Sequence, residues 1–139
     1  MPLPTLPKAS STRLIILKLD PFATADPAEA VTNLAAHQIT HLDIVLATGG
    51  KEKGGLERRG PIEEVIGHFC VNSLAPLMLF QAVLPLLRGL EEERSKFVVV
   101  TSNGSDAVER EEKPFEFAAY GSSKAAANYV VRKIHFEND

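Results

Sequence analysis

Apolar positions fall into short continuous runs and longer stretches of helical spacing. Leu14-Ile-Ile-Leu17 is a compact run with β-branched content, stopped by Asp20-Pro21, which predicts a buried strand. Asp26-Pro-Ala-Glu29 reads as an N-cap aspartate, a proline at the first helical position and a glutamate at the third. Val31, Leu34 and Ala35 continue at helical spacing, predicting an amphipathic helix over about 27–38. Leu42 to Ala47 predicts a second buried strand, which runs into Thr48-Gly49-Gly50, and the charged, glycine-rich residues 51–60 predict a mobile loop. From Pro61 a long helical region carries a broad apolar face that includes Val65, Phe69, Leu74 and Val83, with Pro76 and Pro85 expected to bend or interrupt it. Glu91 to Arg94 reads as a solvated turn and Phe97 to Val100 as a third strand. A polar stretch from Thr101 to Asp106, a charged connector to about Glu116 and a last helix over Ala118 to Ile134 complete the chain.

The order strand, helix, strand, helix, strand, helix predicts parallel α/β packing with the strands flanked by helices. In such a sheet the polar and glycine residues just past the strand ends line the crevice where ligands bind. Asp20, Thr48-Gly49-Gly50 and Thr101-Ser102 occupy those places. A single domain over residues 1–139 is expected, with a proline-rich, disordered lead at 1–12.

Composition narrows the class without deciding the chemistry. At 139 residues and a formal net charge of -3, the chain suits one globular domain and argues against a broad nucleic-acid-binding surface. One cysteine excludes an intramolecular disulfide and fits a reducing compartment. No run approaches the roughly 18 uninterrupted apolar residues of a membrane span, and no signal peptide is evident, so a cytoplasmic location without membrane association is expected. His37 and His41 straddle an expected helix end without a third ligand, and no metal is expected.

The candidate chemistry gathers late in the chain. Tyr120 and Lys124 are four apart at the start of the last helix and share a face. A neighbouring ammonium favours the phenolate and would let tyrosine exchange a proton near neutrality. Taken alone, the pair reads as a surface pair. Ser102, at a strand end, is either a turn serine or a hydroxyl placed to bond a reacting carbonyl. Asn72 breaks the apolar pattern of the long helix and is either solvent-facing or the site of a kink or water relay. Ser122 and Ser123 read as helix-packing or local hydrogen-bonding residues, with substrate contact the lesser alternative.

Together these segments resemble the short-chain dehydrogenase/reductases, and within them the fungal ketoreductases of the norsolorinic acid type. Leu42 to Gly50 is similar to the strand and turn that flank the cofactor. Val71-Asn-Ser-Leu-Ala-Pro-Leu77 resembles the segment with the family's catalytic asparagine, Val98-Val-Val-Thr-Ser102 the strand leading to its serine, and Ala119-Tyr-Gly-Ser-Ser-Lys-Ala-Ala126 its catalytic helix. The resemblance implies a partial Rossmann-type three-layer fold and hydride transfer between NADP or NAD and a small-molecule carbonyl or alcohol. It implies catalytic roles for Asn72, Ser102, Tyr120 and Lys124. It places Asp20, Thr48, Gly49 and Gly50, with Tyr120 and Lys124, at the cofactor. In the family the long and last helices also form a dimer interface, so a homo-oligomer through helices at about 61–88 and 118–134 is expected.

Two departures qualify the expectation. The chain holds no glycine before Gly49, so the glycine-rich turn that receives the pyrophosphate is absent from it, and the turn asparagine of the family is replaced by Thr48. The alternative is therefore an inactive, truncated family member that self-associates or pairs with a full-length relative.

Overall fold

A computed structural model describes residues 9–51, 61–88, 95–102 and 118–138. The elements are α1 (Asp26–Ala36), β1 (Ile44–Ala47), α2 (Ile62–Phe69), a π-turn (Cys70–Leu74), α3 (Ala75–Leu87), β2 (Lys96–Val99) and α4 (Ala118–Asn138). The N-terminal lead up to residue 8, the loop at 52–60, the turn at 91–94 and the connector from residue 103 lie outside the described residues.

β1 and β2 pair in parallel, with Ile44 opposite Lys96 and Ala47 opposite Val99. Alternation along a strand sends Val45 and Ala47 to one face with Phe97 and Val99. α3 covers that face: the rings of Phe80 and Phe97 meet edge-on, centroids 5.2 Å apart, beside the buried Val83. α1 packs on α3, and α4 packs on α2 and the π-turn. The fold is thus an alternating β–α, Rossmann-like parallel sheet flanked by helices, part of a three-layer α/β architecture. On the opposite face Ile44 and Leu46 are 58% and 61% exposed, alongside Val98 and Val100.

The expected strand at Leu14 to Leu17 does not form. Among the described residues the sheet consists of β1 and β2 alone, and no strand lies beside residues 14–17 to exchange backbone hydrogen bonds with them. Leu14, Ile16 and Leu19 are correspondingly exposed.

Helix boundaries depart from expectation for local reasons. α1 starts one residue early, with Ala25 at the N-cap and no side-chain cap. The Asp26 carboxylate instead accepts the Asp20 N–H at 2.9 Å and meets Lys18 Nζ at 3.2 Å, so it ties down the preceding loop, not its own helix. α1 also ends sooner than residue 38. Gln38 adopts φ 64, with its N–H donating to Ala35 O and the Ile39 N–H to Leu34 O, a Schellman stop built without glycine. The strands are shorter or shifted by a residue or two, while α4 continues past Ile134 to Asn138.

The long helical region runs from Ile62 to Leu87 and would be apolar enough by composition to cross a membrane. Here it is the central helix of the helical layer. Neither proline ends it. Pro76 has no N–H to give the Asn72 carbonyl four residues earlier, and just before it the ladder widens, Ala75 N–H donating to Cys70 O five residues back. Pro85 lies in the last turn of α3, which continues to Leu87.

Candidate active site

The π-turn places two consecutive polar side chains on one buried face. A wide turn rotates less per residue than an α-turn, so Asn72 and Ser73 both point inward, 0% and 3% exposed. Both reach Ser123 in α4, which is itself fully buried. Asn72 Nδ2 donates to Ser123 Oγ at 2.9 Å, and Ser73 Oγ donates to the Ser123 carbonyl at 2.6 Å. Ser123 Oγ in turn donates to the Tyr120 carbonyl at 2.7 Å.

The rest of the Asn72 amide holds the chain leaving β1. Its Oδ1 accepts the Lys51 N–H at 2.8 Å and its Nδ2 donates to the Lys51 carbonyl at 3.1 Å, so only one orientation of the amide satisfies all its partners. The Lys51 ammonium lies 2.9 Å from Glu64 Oε2 and fixes the same segment to α2. Asn72 therefore links the turn after β1, the middle of the long helix and the start of α4.

Lys124 stands beside this network, 4% exposed. Its Nζ donates to the Val100 carbonyl at 2.9 Å and lies 6.0 Å from the centre of the Tyr120 ring. Burial pushes the Lys124 ammonium below the usual lysine range. No carboxylate pairs with it among the described residues. The exit of β2, which carries Ser102, runs along α4: Val100 meets Lys124, and Thr101 Oγ1 donates to Asn128 Oδ1 at 2.7 Å.

The remaining expected residues lie on the other side of the turn after β1. A cavity of about 280 Å³ is lined by Leu19, Asp20, Pro21, Thr48, Gly49 and Pro76, among others. Asp20 is exposed, and its carboxylate accepts the Phe22 N–H at 2.9 Å. Gly49 faces open space, whereas a Cβ at Gly50 would sit 3.8 Å from both Asn72 Oδ1 and Lys124 Nζ. The sites at Asp20, Thr48 and Gly49 thus line the cavity, Gly50 borders the cluster of Asn72 and Lys124, and Tyr120 sits one helical turn before Lys124.

This arrangement fits the two ends of a dinucleotide. The mainly apolar cavity with one carboxylate is of a size for a flat heteroaromatic ring system and too small for a whole dinucleotide. Lys124 is a buried cation with no carboxylate beside it among the described residues, and such a group could hold a hydroxyl-rich ligand. The sequence does not single out Lys51 or Ser73, and it marks Ser123 as a packing or local hydrogen-bonding residue, which its burial and its bond to the Tyr120 carbonyl bear out without showing the longer link to Asn72. No spacing in the sequence marks a serine whose partner lies 51 residues away. The local reading holds for Ser122 too, whose hydroxyl donates to the Ala118 carbonyl.

A buried lysine thus stands one helical turn after a tyrosine, beside the asparagine of a widened helix and at the end of a parallel, Rossmann-like sheet. A family model described as short chain dehydrogenase matches residues 4–139, and the chain belongs to that family. It is 40% identical over 136 residues to norsolorinic acid ketoreductase nor1 of Dothistroma septosporum, covering 96% of this chain and 51% of that protein. It is 37% identical over 139 residues to norsolorinic acid ketoreductase of Aspergillus parasiticus, covering 98% and 51%. The chain spans about half the length of these relatives.

Solved structures of the same fold include the RhlG/NADP complex of Pseudomonas aeruginosa, with TM-score 0.73, 22% identity and coverage of 85% of this chain and 45% of that one. The NADPH-bound carbonyl reductase of chicken fatty liver gives TM-score 0.75, 22% identity and coverage of 88% and 52%.

Proposed function

We propose that this chain carries the proton-handling part of an NAD(P)-dependent ketoreductase, acting between a nicotinamide and a carbonyl or secondary alcohol. The observation that carries the reading is Lys124: a buried ammonium without a carboxylate partner among the described residues, held against the Val100 carbonyl beside Tyr120. In this reading the Tyr120 hydroxyl gives its proton to the substrate oxygen in reduction and takes it back in oxidation. The positive charge of Lys124 favours the phenolate and binds the ribose of the cofactor. The Ser102 hydroxyl orients the substrate oxygen, and Asn72, its side-chain amide committed to Lys51 and Ser123, holds a water between Lys124 and bulk solvent through its backbone carbonyl. Asp20, Thr48 and Gly49 receive the adenine end. The bound nicotinamide supplies the hydride.

The test is fluorescence titration of the purified chain with NADPH and with NADH, its folding checked by circular dichroism. Reduction of norsolorinic acid, the ketone in the names of two relatives, is then assayed. Saturable binding is expected, with Tyr120→Phe lowering kcat by at least about 100-fold and leaving NADPH affinity within about twofold. A folded chain that binds neither nucleotide sinks the reading.

The exposed apolar side chains of α2 and α4 favour a second reading, in which the chain is a non-catalytic family member that self-associates or pairs with a full-length relative. The proposed contact is through the helices at about 61–88 and 118–134, where Ile62, Ile66 and Tyr129 are exposed, with the exposed Phe136 just beyond in α4. A stable oligomer without nucleotide binding supports it.

A further inference from the structure

Ser123 holds one hydroxyl between the two halves of the candidate site. Its single O–H is committed to the Tyr120 carbonyl, so a lone pair faces Asn72 Nδ2, and both contacts are short and buried. The Ser123 carbonyl is taken by Ser73 Oγ at 2.6 Å, so the same residue is gripped through its backbone as well. On the far side, the Asn72 amide is spent on both backbone groups of Lys51. A chain of hydrogen bonds therefore runs from the turn after β1, through Asn72 and Ser123, to the turn of α4 that bears Tyr120 and Lys124.

Packing alone does not demand this. Ser122, its neighbour, satisfies its own hydroxyl within α4 through the Ala118 carbonyl and touches nothing beyond the helix in doing so. Ser123 is the one of the pair turned to the π-turn, and it carries both a local and a long-range bond. Without its oxygen, an Asn72 N–H would be left buried and unpaired, and the first turns of α4 would lose their polar link to the segment that holds Gly50.

We propose that Ser123 is a positioning residue, which sets Tyr120 and Lys124 against Asn72 and the turn after β1. The proposal rests on the ketoreductase reading for its catalytic meaning, but its geometry is testable in the free chain. Loosening the turn from Tyr120 to Lys124 lets water reach the Lys124 ammonium and relieves the burial that holds its titration down.

The experiment follows the Lys124 side-chain ¹³Cε signal through a pH titration of the full chain in wild type, Ser123→Ala and Ser123→Thr, with thermal melts on each. Ser123→Ala is expected to move the Lys124 midpoint upward by about half a pH unit or more. Ser123→Thr, which keeps the hydroxyl, returns it toward the wild-type value. An unchanged midpoint in a merely destabilised Ser123→Ala overturns the proposal, because the serine is then structural only. Should that variant not fold, Ser123→Cys, similar in shape but a poor hydrogen-bonding partner, replaces it, and failure of both to fold also assigns a structural role only. If the midpoint moves while wild type neither binds NADPH nor reduces a ketone, the positioning role stands and the ketoreductase reading falls. Where turnover is measurable, Ser123→Ala lowers kcat by about tenfold with KM for NADPH little changed.

Discussion

Lys124 shows how one residue carries both the legible and the illegible parts of this site. Its spacing from Tyr120 marked it in the sequence; its burial did not, because that comes from Val100, Gly50 and the π-turn, which converge only in three dimensions. Asn72 was visible as a polar break in an apolar helix, yet its partners at Lys51 and Ser123 were not. Burial lowers the folded-state pKa of Lys124, so between that value and the unfolded 10.5 the unfolded chain binds the extra proton. The charged form is the disfavoured one in the folded chain. The destabilisation is therefore fully present at pH below the lowered pKa and is relieved as pH rises through the window toward 10.5. Thermal melts of wild type against Lys124→Met across that alkaline range should show a rising stability term in wild type that the variant lacks. Parallel profiles for the two proteins would mean that the ammonium is solvated in the folded state.

Among the elements, helix ends and strand pairing were read less well than helix and strand identity. The amphipathic spacing of α1 is clear in the sequence and Asp26 has the chemistry of its cap, yet the carboxylate holds the Asp20 N–H, a choice between two nearby donors that sequence does not rank. The run at Leu14 to Leu17 has the composition of a strand and fails to be one for want of a ladder neighbour, since pairing is a property of two segments. The stop of α1 at Gln38 is the element-level feature with a measurable cost. A non-glycine residue at φ 64 is strained by roughly 1–2 kcal/mol, part of which glycine would return as extra freedom in the unfolded chain. Gln38→Gly should accordingly stabilise the fold by about 0.5–1 kcal/mol, with Tm rising by about 2–4 °C. A lower Tm would show that the Gln38 side chain contributes more than its backbone costs.

At the scale of the whole molecule, the described residues expose two apolar surfaces of different character, and the association expected of each differs. On the helical side the exposed aromatics of α4 already have partners: Lys133 Nζ lies 5.7 Å from the Tyr129 ring centre, and Arg132 lies 5.7 Å from that of Phe136. Rings capped by cations stay hydrated at their edges and suit a discrete contact whose polar rim sets its register. The open sheet face has no such rim at Ile44, Leu46, Val98 and Val100, and the outer edge of β1 has no strand beside it among the described residues. Parallel sheets are ordinarily covered on both faces, so this surface favours open-ended stacking over a closed pair. Sedimentation velocity over a concentration series separates the two. Leu46→Lys with Val98→Lys should remove the large, concentration-dependent species and leave a dimer, because charge on a flat apolar face opposes stacking without touching the helices. Tyr129→Glu with Phe136→Glu should remove the dimer and leave the larger species. A dimer abolished by the sheet-face pair alone would move the proposed contact from the helices to β1 and β2, and the helical surface would then be free for a full-length relative.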